Sequence, residues 1–285
     1  MARAELLRYN GNALFFKEAV MAVIVIFFLV SILSSIVGSI CGIGGGVIIK
    51  PVLDATGIMD VSSISFLSGC TVLAMSIISV FKNIRAGSAK LNVRIATSLA
   101  IGAAVGGVAG KAMFQALKDA VGNDSAVGFT QAVVLIIITV GTLIYTIYKK
   151  RIKTREYDQI WLCVVIGLLL GVMSSFLGIG GGPINLVILA WFFSMSTKEA
   201  ALSSLYIIMF SQITSLIQTF ATGSVPDVQI SYLAVMVIGG VAGGMIGSRI
   251  NKKIDEDNVN KLFIFLMAVI ICINIYNAAK FGMSM

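Results

Sequence analysis

Histidine is missing from this chain altogether, and only 12% of its 285 residues are charged. Without histidine, the commonest metal ligand and the usual proton shuttle near neutral pH are gone. With 58% hydrophobic residues and a mean hydropathy of +1.00, an ordinary soluble domain is excluded and a polytopic membrane protein is indicated. No polar stretch is long enough to fold as a separate domain. Cysteine is sparse: Cys41, Cys70, Cys163 and Cys272 stand in apolar surroundings with no CxxC pair. They read as small buried apolar residues, with thiol reactivity left open only at Cys41 beside a glycine cluster. Acids are confined to the N-terminal segment, loops and their edges, Asp54 apart. The membrane-buried carboxylate chain expected of many cation or proton pumps is therefore lacking. There is no GK[ST] after a glycine-rich loop, no HExxH and no nucleophile–base pair. Catalysis and ATP-driven transport are not indicated, and neither a cofactor nor a metal is expected.

The chain does have glycine, in a pattern. Gly42-Ile43-Gly44-Gly45-Gly46 returns as Gly178-Ile179-Gly180-Gly181-Gly182. Each copy interrupts an uncharged apolar run, over residues 19–49 and 159–197. As straight helices these runs would measure roughly 46 and 58 Å, against a hydrocarbon core of about 30 Å. Each glycine also costs about 1 kcal/mol relative to alanine inside a helix. Both runs therefore read as helix, break, short helix. An unwound backbone at membrane depth must be buried in protein or face a watery cavity. Two such breaks in matching places point to a transporter's binding site.

The repeat extends beyond the motif. A shift of 136 positions carries Gly42 onto Gly178, and also Met59 onto Met195, Ser68 onto Ser204 and Ser79 onto Ser215. One inserted residue later, Gly102, Gly106 and Gly110 fall on Gly239, Gly243 and Gly247. These GxxxGxxxG stripes read as tight helix packing and are compatible with a homodimer. The chain divides into an N-terminal interfacial segment (1–18) interrupted at Asn10-Gly11-Asn12, a first transmembrane repeat (19–148), a basic connector (149–159) and a second repeat (160–285). The expected fold is an all-α polytopic membrane protein. It has two inverted-topology repeats, each a GxGGG-broken helix hairpin plus three transmembrane helices. Basic loops at Lys82–Arg94, Lys149–Arg155 and Arg249–Lys253 orient it with those loops cytoplasmic and both termini outside. The net charge of +8 thus sets topology and gives no reason to expect nucleic acid. The lipid bilayer is the expected partner.

The chemistry of a break follows from its backbone. A helix's first turn exposes unpaired N–H groups and a partial positive charge, and glycine lets a ligand come close. Two GxGGG breaks brought together offer two positive helix ends to one small anion. The glycines of both motifs, Gly42, Gly44, Gly45, Gly46, Gly178, Gly180, Gly181 and Gly182, are therefore candidate binding residues. Pro183 suits a first helical turn, whereas Pro51 lies deeper and should kink its helix. Neutral donors nearby suit oxyanions: Ser39, Ser68, Thr71, Ser175, Asn185, Ser204 and Gln212. A serine in a helix more often bonds its own carbonyls, but a buried amide needs a partner. Lys50 either adds a cation to the site, or snorkels to the interface or pairs with Asp54, one turn on.

These residues resemble the sulfite exporter TauE/SafE family of permeases. The resemblance rests on Gly42-Ile-Gly-Gly-Gly-Val-Ile-Ile-Lys-Pro51 and Gly178-Ile-Gly-Gly-Gly-Pro-Ile-Asn185, and covers nearly the whole chain after residue 18. It implies a multi-pass permease of the cell membrane for small sulfur-containing anions such as sulfite or sulfoacetate-like organosulfonates. It leaves export or uptake open. A passive anion channel and a non-transporting membrane scaffold are the competing readings.

Overall fold

The computed structural model describes residues 2–87, 91–179 and 181–284, with side chains from Val20 onward except Lys150. Ten α-helices follow one another with no strand among the described residues: α1 (Ala2–Cys41), α2 (Gly46–Thr56), α3 (Val61–Ala86), α4 (Val93–Val121), α5 (Asp124–Tyr148), α6 (Ile160–Leu177), α7 (Pro183–Phe193), α8 (Thr197–Ala221), α9 (Ile230–Lys253) and α10 (Glu256–Gly282). Eight are long and apolar enough to cross a membrane, counting the Val20–Cys41 part of α1 and all others except α2 and α7.

One expectation changes here. The Asn10-Gly11-Asn12 cluster does not interrupt the chain, because α1 runs through it from Ala2. Flanking helical turns on both sides carry a local penalty of about 1 kcal/mol per glycine. The first limb of each broken segment is long. Val20–Cys41 and α6 are themselves candidate spans, whereas α2 and α7 are short at 11 residues each.

In the first half the short helix folds back along its predecessor, whereas α7 packs against α8 and α5. Ile49 and Leu53 of α2 pack with Phe27 of α1 and Met236 of α9, and Phe27 meets Tyr232 at 5.2 Å. At the other end of α1, Asn251 donates to the Ile40 carbonyl at 2.6 Å. So α1 and α9 run in the same direction, and α2 returns against both. The pairing is symmetric when the halves are exchanged. α4 packs along α6 as α9 packs along α1, and α3 meets α9 as α8 meets α4.

The glycine stripes make these two pairings close, as the sequence reading expected. A Cβ on Gly102, Gly106 or Gly110 would run into the backbone of Val164, Leu168 or Val172 on α6. Gly243 and Gly247 stand in the same way against Ile32 and Ile36 of α1. In lipid, where no hydrophobic drive joins helices, such backbone approach is what holds them.

The described basic loops gather at one end. Lys82, Arg85, Arg249 and Lys252 surround one cleft there. Lys149 reaches Asn260 at the start of α10, 2.6 Å away. The connector docks on the end of α7, where the Arg155 and Tyr157 amides donate to Trp191 and Phe192 at 2.8 and 3.0 Å. At the opposite end Asp60 caps α3 through Ser63, at 3.0 Å. Burial pushes the Asp60 carboxyl up, but the hydrogen bonds from Ser63 and the nearby Lys118 charge outweigh it and hold it below its ordinary range.

Candidate functional site

Both breaks form where the sequence puts them. α1 stops at Cys41 and α2 starts at Gly46; α6 stops at Leu177 and α7 starts at Pro183. Gly42 and Gly44 take left-handed φ values of 77° and 74°. Gly178 takes 66° and Gly181 takes 126°. Side chains with a Cβ resist that region, so the turn needs glycine. Pro183 occupies the first turn of α7 as expected, and α2 continues through Pro51 to Thr56. Gly180 lies outside the described residues.

The two breaks touch. A Cβ on Gly46 would collide with the Ile179 carbonyl oxygen. Each break also abuts the start of a long helix in the other half. Gly42 stands against Ala201, one turn into α8 from the basic end. Gly178 stands against Ser65, one turn into α3 from the opposite end, with Ser65 Oγ 2.6 Å from where a Cβ would be. Ala201 is the counterpart of Ser65 under the 136-residue shift.

Buried hydroxyls line this junction. Ser35 Oγ lies 3.2 Å, and Ser68 Oγ 3.0 Å, from the Cβ positions of Gly45 and Gly46. Among the described residues the hydroxyls of Ser35, Ser68, Ser174 and Ser175 have no hydrogen-bond partner. Each unpaired buried polar group costs about 1–3 kcal/mol, so a cluster of them is unusual in a fold. Ser175 and Gly178 border a narrow cleft of about 20 Å³ together with Ser65, Gln212 and Lys111. A larger cleft of about 290 Å³ opens at the basic end and reaches Cys41, the last residue before the first break, past Lys149, Ser196, Thr197 and Asn260.

The remaining candidates sort by partner. Asn185 Nδ2 donates to Ser204 Oγ at 3.4 Å, which joins α7 to α8 beside the second break. Ser39 is absorbed in a structural knot, with Ser79 Oγ at 2.9 Å and Ser248 Oγ at 3.1 Å. Thr71 bonds its own helix at Leu67, 2.8 Å away. Lys50 pairs with Asp54 at 2.7 Å, both side chains buried. The structure therefore groups Ser68, Ser175, Gln212, Asn185 and Ser204 with the glycines, and occupies Ser39, Thr71 and Lys50 elsewhere.

Sequence reasoning missed Lys111. It follows Gly110 near the end of a span and lies one turn after Gly107, which faces Ser211 of α8 rather than α6. In the fold it enters the cleft of Ser175 and Gln212, with its ammonium 5.1 Å from the Phe114 ring centroid. Its spacing from Gly107 is the only signal, and helix packing alone turns that spacing toward the break.

Comparison with known proteins agrees with this architecture. Residues 27–274 match the family described as sulfite exporter TauE/SafE. A Bacillus subtilis protein described as probable membrane transporter protein YunE is 23% identical, covering 88% of this chain and 97% of its own length. The Methanocaldococcus jannaschii protein described as probable membrane transporter protein MJ0441 is 25% identical, covering 85% of this chain and 91% of its own. No solved structure matches. With the family match running across both breaks and nearly all the described helices, the chain belongs to the sulfite exporter TauE/SafE family of membrane transporters.

Proposed function

We propose that this chain is a secondary transporter of the plasma membrane for small sulfur-containing anions. Sulfite and sulfoacetate-like organosulfonates are its substrate class. The anion binds where the two broken hairpins meet and moves by alternating access. The observation that carries this reading is the set of partnerless hydroxyls, Ser35, Ser68 and Ser175, buried against breaks whose backbones touch. Neutral donors and helix amino ends suit an oxyanion and repel nothing on it. Lys111 and Gln212 extend the same donor set toward the end opposite the basic loops.

The two halves act as inverted-topology repeats. Support comes from the approach of the breaks from opposite ends, one beside Ala201 and one beside Ser65, and from the exchange-symmetric helix pairing. In such transporters the site stays fixed while one repeat rocks against the other. The cluster of basic loops makes that end cytoplasmic.

Proteoliposome flux tests the proposal. Radiolabelled sulfite or sulfoacetate should enter with a rate that saturates, while zwitterionic taurine serves as the control for charge. A rate that never saturates would mean a channel. No flux of either anion, together with no effect of Gly45→Ala, would overturn the transporter reading.

A further inference from the structure

Lys50 and Asp54 form the one buried ion pair among the described residues, and they do so without symmetry. The 136-residue shift carries them onto Leu186 and Ala190, so the second half holds apolar residues at both places. The pair lies within one helix and joins no two elements, and a well-packed apolar pair there would serve stability as well or better. Its retention in one half calls for a role that packing does not supply.

The surroundings give one. Asp54 receives Lys50 on Oδ2, while its Oδ1 has no partner. It borders a cleft of about 10 Å³ with Gln131, Asn274 and Leu177. Gln131 Nε2 is spent on the Phe176 carbonyl at 2.6 Å, and its Oε1 also has no partner. The cleft is thus short of a donor, and a proton on Asp54 would supply it. Of the groups facing Asp54, Lys50 on its own helix and Lys280 from α10 carry charge, the latter donating to the carbonyls of Asp54 and Ala55 at 3.4 and 3.0 Å. α5 presents Gln131, Ala132 and Leu135, α6 presents Leu177 and α10 presents Asn274, none of them charged. One turn on, Thr56, Gly57 and Ile58 are exposed at the end opposite the basic loops, which gives protons a short approach.

Lys50, though paired with Asp54, lies beside the second break. Its Cε lies 3.5 Å from the position a Cβ would take on Gly178, the first residue of the second break. We infer that Asp54 is the proton-coupling carboxylate of this transporter, exchanging its claim on Lys50 with the bound anion. When an anion arrives, the Lys50 ammonium leaves Asp54 Oδ2 for the anion and Asp54 takes up one proton. When the anion leaves, Lys50 returns and that proton is released. Lys50 keeps an anionic partner at either stage, and one proton travels with each anion. This inference rests on the transport reading above and names its coupling ion.

Vesicles test it with radiolabelled sulfoacetate, the membrane potential clamped at zero by valinomycin and equal potassium. One proton per anion gives about tenfold accumulation per pH unit, with the acid side donating. Asp54→Asn should reduce accumulation to the equilibrium level. Because that variant leaves Lys50 buried without a counter-charge, the double variant Lys50→Met/Asp54→Leu is made alongside it, on the pattern of Leu186 and Ala190. It should fold, and a pH gradient should not raise the level its vesicles reach. If wild-type protein carries sulfoacetate with no response to the gradient, or the double variant still concentrates it, the coupling role is overturned while the transporter stands. If wild-type protein carries no anion at all, the transport reading fails and the coupling role falls with it.

Discussion

Two classes of buried serine separate at the scale of single residues. Ser39 shares its hydroxyl with Ser79 and Ser248, so removing it takes away bonds the fold uses. Ser68 and Ser175 give the fold nothing in return for their burial. Ser39→Ala should therefore destabilise the protein by about 1 kcal/mol and leave anion binding alone. Ser68→Ala and Ser175→Ala should melt at the same temperature as the wild type or higher without ligand. Their sulfite affinity should fall about three- to tenfold, since one hydrogen bond is worth about 1 kcal/mol. Melting curves with and without sulfite report both quantities at once, because a ligand of the folded form raises the midpoint. Equal behaviour of all three variants would mean that the unpaired hydroxyls are not binding groups. The sequence could name these serines but could not divide them. Which hydroxyl finds a partner depends on the rotation of α1 against α3 and α9.

At the scale of elements, the fold depends on helices that approach backbone to backbone. Gly106 lies against the Leu168 carbonyl and Gly243 against that of Ile32, which leaves no room for a branched side chain. Gly106→Val and Gly243→Val should each lower the yield of folded protein severalfold. By contrast, Gly141, which has nothing within 4 Å of its Cβ position, should accept alanine with no loss. Fluorescence-detected size-exclusion profiles measure this directly. The GxxxGxxxG spacing was legible as a packing signal because a small residue every fourth position draws one line along a helix. The partner helices were not legible. α6 for the first stripe and α1 for the second are set by the meeting of the halves, which no local pattern encodes.

At the scale of the molecule, the described basic loops share one end and the loops around Gly122 and Gly223 lie at the other. Single cysteines introduced at Ser125 and Ser224 on a cysteine-free background should react with a membrane-impermeant maleimide in intact cells. Cysteines at Arg151 and Lys253 should react only after permeabilisation. The reverse pattern would invert the assigned orientation and reassign the end from which protons reach Asp54.

The sequence by itself determined that this chain lives in a membrane, that it has two related halves, and that each half breaks at GxGGG. Those conclusions follow from quantities local to the chain: hydrocarbon thickness against run length, the helix cost of glycine, and a fixed shift between matching residues. Only the tertiary structure decided that the breaks touch, that Lys111 joins their cleft, and that Lys50 is held by Asp54 beside Gly178. Apart from the Lys50–Asp54 pair, which the spacing along α2 already allowed, each of these is a contact between helices far apart in the chain. Helix rotation and pairing direct a side chain across such a distance, and spacing along one strand of sequence carries no record of either.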